Sequence, residues 1–373
     1  MHVKTYRGRI YSQQKNKHPV RTAISRSLLV LFTAVFIIAG GLLGAVLIVE
    51  FGPSEKARDL FVVSMMETSA AKFLATSFLG EEKVDEILAA NAIKDTDEIT
   101  DMDMVVITTP SNGNNEPDEN VNDVHKAVIP GSDGQAVDPD GDGIDIVDVV
   151  GSSFRGKMMI VYDPTRVFVG ISGEFGVDKP GRTINEIYES YDNVIAAING
   201  GGWDDRPGHM TGGEPWGIVI SEGEVLWGTP LNTLWECCGI TKEGKLVVGT
   251  FTVQQALDMG VTDAAKYGPT LIVNDKPTES LGTGGGLNPR TAIGQRADGA
   301  MLLLVIDGRQ SGSLGASLVD VQDVMLKFEA VNAYNLDGGS STSMIYNGEH
   351  INSNASLIGL RKMCTAFLVR GLE

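Results

Sequence analysis

Between Arg26 and Glu50 lie 23 consecutive residues, SLLVLFTAVFIIAGGLLGAVLIV, without one charge. At helical rise such a run covers about 34 Å, enough to cross a hydrocarbon core of about 30 Å. A cleaved signal peptide has an apolar core of about 7–15 residues followed by a small-x-small cleavage site. This run is longer and residues 42–50 offer no such site, so residues 27–49 read as an uncleaved transmembrane helix. The preceding 1–26 hold Lys4, Arg7, Arg9, Lys15, Lys17, Arg21 and Arg26 and no acid. Basic flanks stay in the cytoplasm, so the chain is expected to be a single-pass cell-membrane protein with a cytoplasmic N-terminus and an extracytoplasmic main domain. The same head suits contact with anionic lipid headgroups.

The rest of the chain divides by charge. The formal net charge is −18, yet residues 50–149 carry −17 and residues 150–373 only −8. Regions so different are not expected to share one core, which gives four parts: head 1–26, anchor 27–49, helical stalk with acidic linker 50–149, and main domain 150–373. No basic face exists beyond the head, so nucleic acid is excluded as a partner. Cys237, Cys238 and Cys364 fit neither a disulfide framework nor a zinc spacing.

In residues 53–92 apolar side chains recur at helical spacing (Leu60, Val63, Met66; Phe73, Leu74, Phe78), with Ser54 as a helix start. Two amphipathic helices broken near Gly80 are expected. Their apolar face has three candidate partners: the main domain, the membrane surface, or another copy, which leaves an oligomer through the stalk open. Residues 109–123, TPSNGNNEPDENVND, have the composition of a disordered linker. Asp138, Asp140, Asp142 and Gly143 match the first half of a calcium loop, but Val149 stands where the twelfth-position carboxylate belongs. The segment therefore reads as a turn into a strand. The sequence requires no cofactor and assigns no metal ligands; a divalent cation such as calcium is the alternative.

From residue 150 short apolar runs are punctuated by glycine, and 158–162, 167–171, 194–198, 217–221, 246–248, 271–273, 300–306 and 333–336 read as strands. Glu222-Gly223 and Asn347-Gly348 read as hairpin turns. Helices are expected near 183–191, 252–259 and 317–329. The fold class is α+β (mixed α/β), one strand-rich domain containing a β-α-β crossover. In that crossover the strand 300–306 ends in Asp307-Gly308-Arg309, a helix follows, and the strand 333–336 ends in Asp337-Gly338-Gly339. Its strands should lie parallel, with both Asp-Gly pairs at one carboxyl edge. If they are neighbours, about 4.8 Å apart, Asp307 and Asp337 come within the range of about 5–9.5 Å used in glycoside hydrolysis.

The strand 194–198 has the same grammar, ending in Asn199-Gly200-Gly201-Gly202-Trp203. Glycines after a polar strand end let backbone approach a ligand and offer it N–H groups. Arg290 and Arg309 supply guanidinium groups suited to a phosphate. Ser340 and Ser341 read as phosphate contacts or turn caps, and His209 as the better placed of two isolated histidines. The glycine-rich 282–286 lacks the dinucleotide-binding register.

Four motifs in order, residues 197–203 (AINGGGW), 288–294 (NPRTAIG), 305–309 (VIDGR) and 335–342 (NLDGGSST), resemble the phosphodiester glycosidase family. That family includes the animal "uncovering enzyme", which removes N-acetylglucosamine from a mannose 6-phosphate diester, and bacterial proteins labelled exopolysaccharide biosynthesis proteins. The resemblance covers about 150–373. It implies a hydrolase that cleaves the bond between an anomeric carbon and a phosphate oxygen of a sugar-phosphate diester or phosphopolymer, in cell-wall or exopolysaccharide material. On that reading Arg290 and Arg309 hold the phosphate. Asp337 stabilises the oxocarbenium-like transition state or activates water, and Asp307 positions Arg309, the phosphate or a metal. Asn199 meets the sugar or the water, and Trp203 stacks on the sugar. Gly200, Gly201, His209, Gly338, Gly339, Ser340 and Ser341 complete the substrate-binding set. A non-catalytic glycan or phosphopolymer binding module and a metal-dependent phosphodiesterase are the alternatives.

Overall fold

The computed structural model describes residues 19–67, 71–107, 138, 140–206, 209, 211–228, 230–279, 281–356 and 359–372. The linker 109–123 and most of the basic head lie outside them. The chain divides into two units, Met1–Arg58 and Asp59–Glu373.

In the first unit helix α1 spans Pro19–Phe51. Within its Ala23–Phe51 portion an 18-residue stretch has a mean hydropathy of 2.6 and no buried residue, and the portion is long and apolar enough to cross a membrane. Helix α2 (Glu55–Met66) starts where Ser54 Oγ accepts from the Ala57 N–H at 3.2 Å. That bond satisfies one of the free donors of a helix start, as expected of serine there.

The second unit begins within α2 and continues through α3 (Lys72–Leu79) and α4 (Glu81–Ala90). The chain breaks at Gly80, as its pattern predicts, and also after Met66, so three helices stand where two were expected. Val62, Val63, Ala75, Val84 and Ile87 bury against one another. These helices contact the main domain: Ser64 Oγ accepts from the Leu287 N–H at 2.8 Å, and Gly282 packs on the Asn91 carbonyl. Residues 93–107 follow the same surface, where Thr100 Oγ1 accepts from the Val248 N–H at 2.9 Å.

Three antiparallel sheets share one core. The largest runs Ile144–Val150, Arg155–Val161, Met301–Ile306, Arg290–Arg296, Ala330–Leu336, Thr270–Val273 and Lys276–Pro277 in spatial order. It therefore begins at Ile144, before the expected boundary at 150. The second sheet is centred on Val194–Asn199 and Thr365–Arg370, the third on Val261–Ala265 and Leu234–Thr241. Each sheet has its outer face covered by one helix: α5 (Ile184–Tyr188) on the second, α6 (Val253–Asp258) on the third, α7 (Leu318–Lys327) on the first. This explains the unbroken apolar run at 301–306. Met301, Leu303 and Val305 enter the shared core while Leu302, Leu304 and Ile306 face α7, so both faces of the pleat are dry.

The predicted hairpins are present, with Glu222, Gly223, Asn347 and Gly348 all at positive φ, as the tight primed turns require. Gly143 N donates to Asp138 Oδ2 at 3.1 Å, and Asp142 accepts from Ile144 N at 2.9 Å, so 140–143 form a turn delivering the first strand. The crossover strands Met301–Ile306 and Ala330–Leu336 are parallel, but not neighbours. Arg290–Arg296 lies between them, antiparallel to both.

Candidate active site

That intervening strand assembles the site. Arg290 pairs with Ile306 and Thr291 with Leu336. A strand running the opposite way begins where its neighbours end, so Arg290, Asp307 and Asp337 share one edge. A cavity of about 580 Å³ opens at that edge, lined by Arg290, Arg309, Asp337, Gly338, Gly339, Ser340 and Ser341 of the expected set, with Trp203 in its wall.

Arg290 is almost fully buried and fixed. Its Nε donates to the Ala316 carbonyl at 3.1 Å, and its Nη2 to the carbonyls of Gly284, Gly285 and Gly286 at 3.1, 2.8 and 3.0 Å. The glycine-rich run thus wraps a cation rather than a dinucleotide. Gly286, at φ +69°, also leaves room for Ser64 of α2, whose Oγ would lie 2.4 Å from an added Cβ. Arg309 sits on a left-handed backbone, φ +57°, and donates from Nη2 to Asn288 Oδ1 at 2.9 Å. Its guanidinium lies over Gly339, where a Cβ would stand 3.5 Å away. Neither arginine has a carboxylate in ion-pair contact among the described residues. Burial pushes both down from their ordinary pKa, with Tyr267 and Glu67 pushing them back up. Two guanidinium groups without a paired carboxylate make a standing site for an anion.

Asp337 has the opposite problem. Burial drives its pKa up to about 6, against the pull of the Ser341 hydroxyl, the Arg361 charge and the Gly338 N–H. A carboxyl in that range exchanges a proton near neutrality, as acid–base catalysis needs.

Residues 192–370 match the family model described as phosphodiester glycosidase. The chain is 27% identical over 221 residues to the mouse N-acetylglucosamine-1-phosphodiester alpha-N-acetylglucosaminidase, covering 53% of this chain and 41% of that protein. Residues 192–370 are a phosphodiester glycosidase domain. An uncharacterised prophage-derived protein of Bacillus subtilis, YomE, is 31% identical over 168 residues, covering 43% of this chain and 25% of its own length. The chain spans less than half the length of these curated relatives. Among solved structures, the zebrafish N-acetylglucosamine-1-phosphodiester alpha-N-acetylglucosaminidase catalytic domain superposes with a TM-score of 0.49 at 23% identity, over 61% of this chain and 82% of that one.

Several expected roles in the glycosidase domain change. Asp307 is two strands from Asp337, about 9.6 Å by backbone spacing, and does not line the cavity. Its carboxylate accepts from Asn352 Nδ2 at 3.1 Å and Ser353 N at 3.0 Å, so it anchors a loop and leaves Arg309 to Asn288. Asn199 is 1% exposed. Its Nδ2 donates to the Asp337 carbonyl at 2.6 Å, and its Oδ1 accepts from Thr291 Oγ1 at 2.7 Å and Ser343 N at 3.1 Å. It holds the Asp337 backbone and does not line the cavity.

The glycine triplet also serves the protein. Gly200 N donates to the Thr365 carbonyl at 3.1 Å, Gly201 N to Thr365 Oγ1 at 3.0 Å, and Gly202 N to the Lys266 carbonyl at 2.8 Å. None is left for a ligand. The missing side chains admit neighbours: a Cβ on Gly202 would meet the Tyr267 ring at 2.6 Å and the Trp216 ring at 2.8 Å.

His209 is outside the cavity wall, with its Nδ1 against the Glu214 carboxylate and 3.6 Å from Asp204. Asp204, His209 and Glu214, and separately Asp138, Asp140 and Asp142, could each hold a metal ion. Neither group lines the cavity. In the second, Asp142 accepts from the Tyr346 hydroxyl at 2.6 Å.

Sequence reasoning missed Glu67, Lys72, Asp205, Trp216, Tyr267, Asn288 and Arg361, all in the cavity wall. Arg361 lies over the Trp203 ring, 4.7 Å from its centroid, and donates to Ser340 Oγ at 3.4 Å. Asn288 stood inside a quoted motif; Arg361 had no local signal at all.

Proposed function

We propose that this chain is a membrane-anchored phosphodiester glycosidase, held by α1 with its catalytic domain outside the cytoplasm, that hydrolyses the bond between a sugar's anomeric carbon and a phosphate oxygen. The observation that carries the reading is the pairing of two guanidinium groups without a paired carboxylate, Arg290 buried and Arg309 open to the cavity, with a carboxyl whose pKa burial raises to about 6.

Arg290 and Arg309 bind the phosphate. Phosphate is a good leaving group, so strong proton donation to it is not needed. Charge instead develops on the sugar ring, and Asp337 in its ionised form either stabilises the oxocarbenium-like transition state or takes a proton from the attacking water. Asn199 holds the Asp337 backbone, and Ser341 orients the carboxylate. Arg361 over Trp203 forms one wall of the space left for the sugar. Cell-wall or exopolysaccharide phosphodiesters are the substrate class that fits an anchored enzyme of this chemistry.

The test is a comparison of substrates using the full chain in detergent. A sugar-1-phosphate diester should be hydrolysed, and the matching alkyl glycoside, lacking phosphate, should not. Equal rates on both would remove the role given to the arginines. No turnover of the diester across several sugars, with retained binding, would support a binding module instead.

A further inference from the structure

The chain has four tryptophans, and all fall between positions 203 and 235. Trp203 and Trp216 line the catalytic cavity. Trp216, Trp227 and Trp235 line a second cavity of about 630 Å³ together with Lys266. Trp216 belongs to both walls, so the two spaces adjoin. It is 43% exposed, unusually open for the largest apolar side chain. One face of its ring is stacked on Tyr267, with centroids 5.9 Å apart and planes at 12°.

The polar groups of the second cavity are equally specific. Lys266 Nζ stands 6.0 Å from the Trp235 ring centroid. Its stem lies against Gly217, where a Cβ would be 2.3 Å from Cδ and where φ is +66°, so only glycine lets the lysine lie there without strain. The Trp235 indole N–H is buried and donates to no described group.

We infer that this tryptophan-lined cavity binds pyranose rings of the glycan attached to the scissile phosphodiester, making the enzyme one for oligomeric or polymeric substrates. The inference rests on the proposed hydrolysis and deepens it. Sugar rings present C–H bonds on their faces and hydroxyls at their edges. Indole faces carry negative charge density that attracts the C–H face, while the Lys266 ammonium group serves the hydroxyls. A purely apolar ligand would leave the Lys266 ammonium desolvated without a partner. Trp216, shared by the two walls, sets the second cavity beside the catalytic one, the placement that a polymer needs.

Two measurements on the full chain in detergent decide it. The first compares a sugar-1-phosphate methyl diester with the same linkage carrying a short oligosaccharide. Wild type should prefer the oligosaccharide substrate, and Trp227→Ala should lose about tenfold in kcat/KM on it, mainly in KM, with the methyl diester unchanged and Trp227→Phe restoring the preference. Equal losses on both substrates, or no preference in wild type, overturn the inference. The second measurement stands without turnover: tryptophan fluorescence should change saturably with the oligosaccharide in wild type and at least tenfold more weakly in Trp227→Ala and Lys266→Ala. A saturable response to phosphatidylcholine vesicles or an apolar peptide, with none to the oligosaccharide, would also overturn it. A chain that binds the oligosaccharide and cleaves neither diester would sink the catalytic reading and leave this cavity's ligand standing.

Discussion

At the scale of single residues, Asp337 is the group on which function and stability conflict. An unperturbed aspartate titrates at about 3.9, whereas Asp337 is raised to about 6. Between those values the folded chain holds a proton that the unfolded chain has lost. This group's contribution to stability is therefore full below about pH 4 and is lost as pH rises through about 6. Asp337→Asn should lower kcat about 10²- to 10⁴-fold and yet melt higher than wild type at pH 8, with the difference vanishing near pH 4. In wild type, kcat/KM should rise through a midpoint near pH 6, because the ionised form is the working one. Thermal melts and a pH–rate profile check both; a variant with wild-type turnover would remove Asp337 from the chemistry. The contrast with Asp307 is instructive. Both follow an apolar strand and precede glycine, so local sequence makes them equivalent. Only the strand lying between them separates a catalytic candidate from a loop anchor, and strand order is a non-local property.

At the scale of elements, the sequence was most readable where a pattern had to satisfy one local rule. The helix expected at 317–329, which starts where Ser317 Oγ accepts from Asp320 N at 3.1 Å, and the Asn347-Gly348 turn are such cases. The helix break at Gly80 is another. The Gly200–Gly202 run was legible as a site of close approach, but not as to what approaches. The answer depends on Thr365, Lys266 and the Trp216–Tyr267 pair, brought in from three other segments. Gly202→Ala should therefore separate the two aromatic rings from the strand end, with a stability loss of about 1–3 kcal/mol for overpacking and a raised KM. Denaturant unfolding with substrate titration checks this; an unchanged KM would mean the stack does not shape the cavity. The tryptophan cluster left a signal in the sequence, in that all four occur within 33 positions. Its meaning needed the sheet that gathers Trp227 and Trp235 around one space.

At the scale of the whole molecule, net charge is a poor guide to how an anionic substrate arrives. Residues 150–373 carry −8, and the positive charge proposed to bind phosphate is local to the cavity, on Arg290 and Arg309. Long-range repulsion opposes encounter while short-range contacts favour binding. Raising salt from low ionic strength to about 0.15 M should leave kcat/KM for an anionic diester level or slightly higher. A steep fall would show that long-range attraction does recruit the substrate. The helices at 59–90, read from sequence as a stalk, pack on the glycosidase-bearing unit and bring Glu67 and Lys72 to its cavity, so the full chain is the form to assay. Hydrolysis of a sugar-1-phosphate diester in heavy-oxygen water tests the central claim most directly. Cleavage at the anomeric carbon predicts the label in the released sugar and none in the phosphate; label in the phosphate would contradict the glycosidase reading and point to attack at phosphorus.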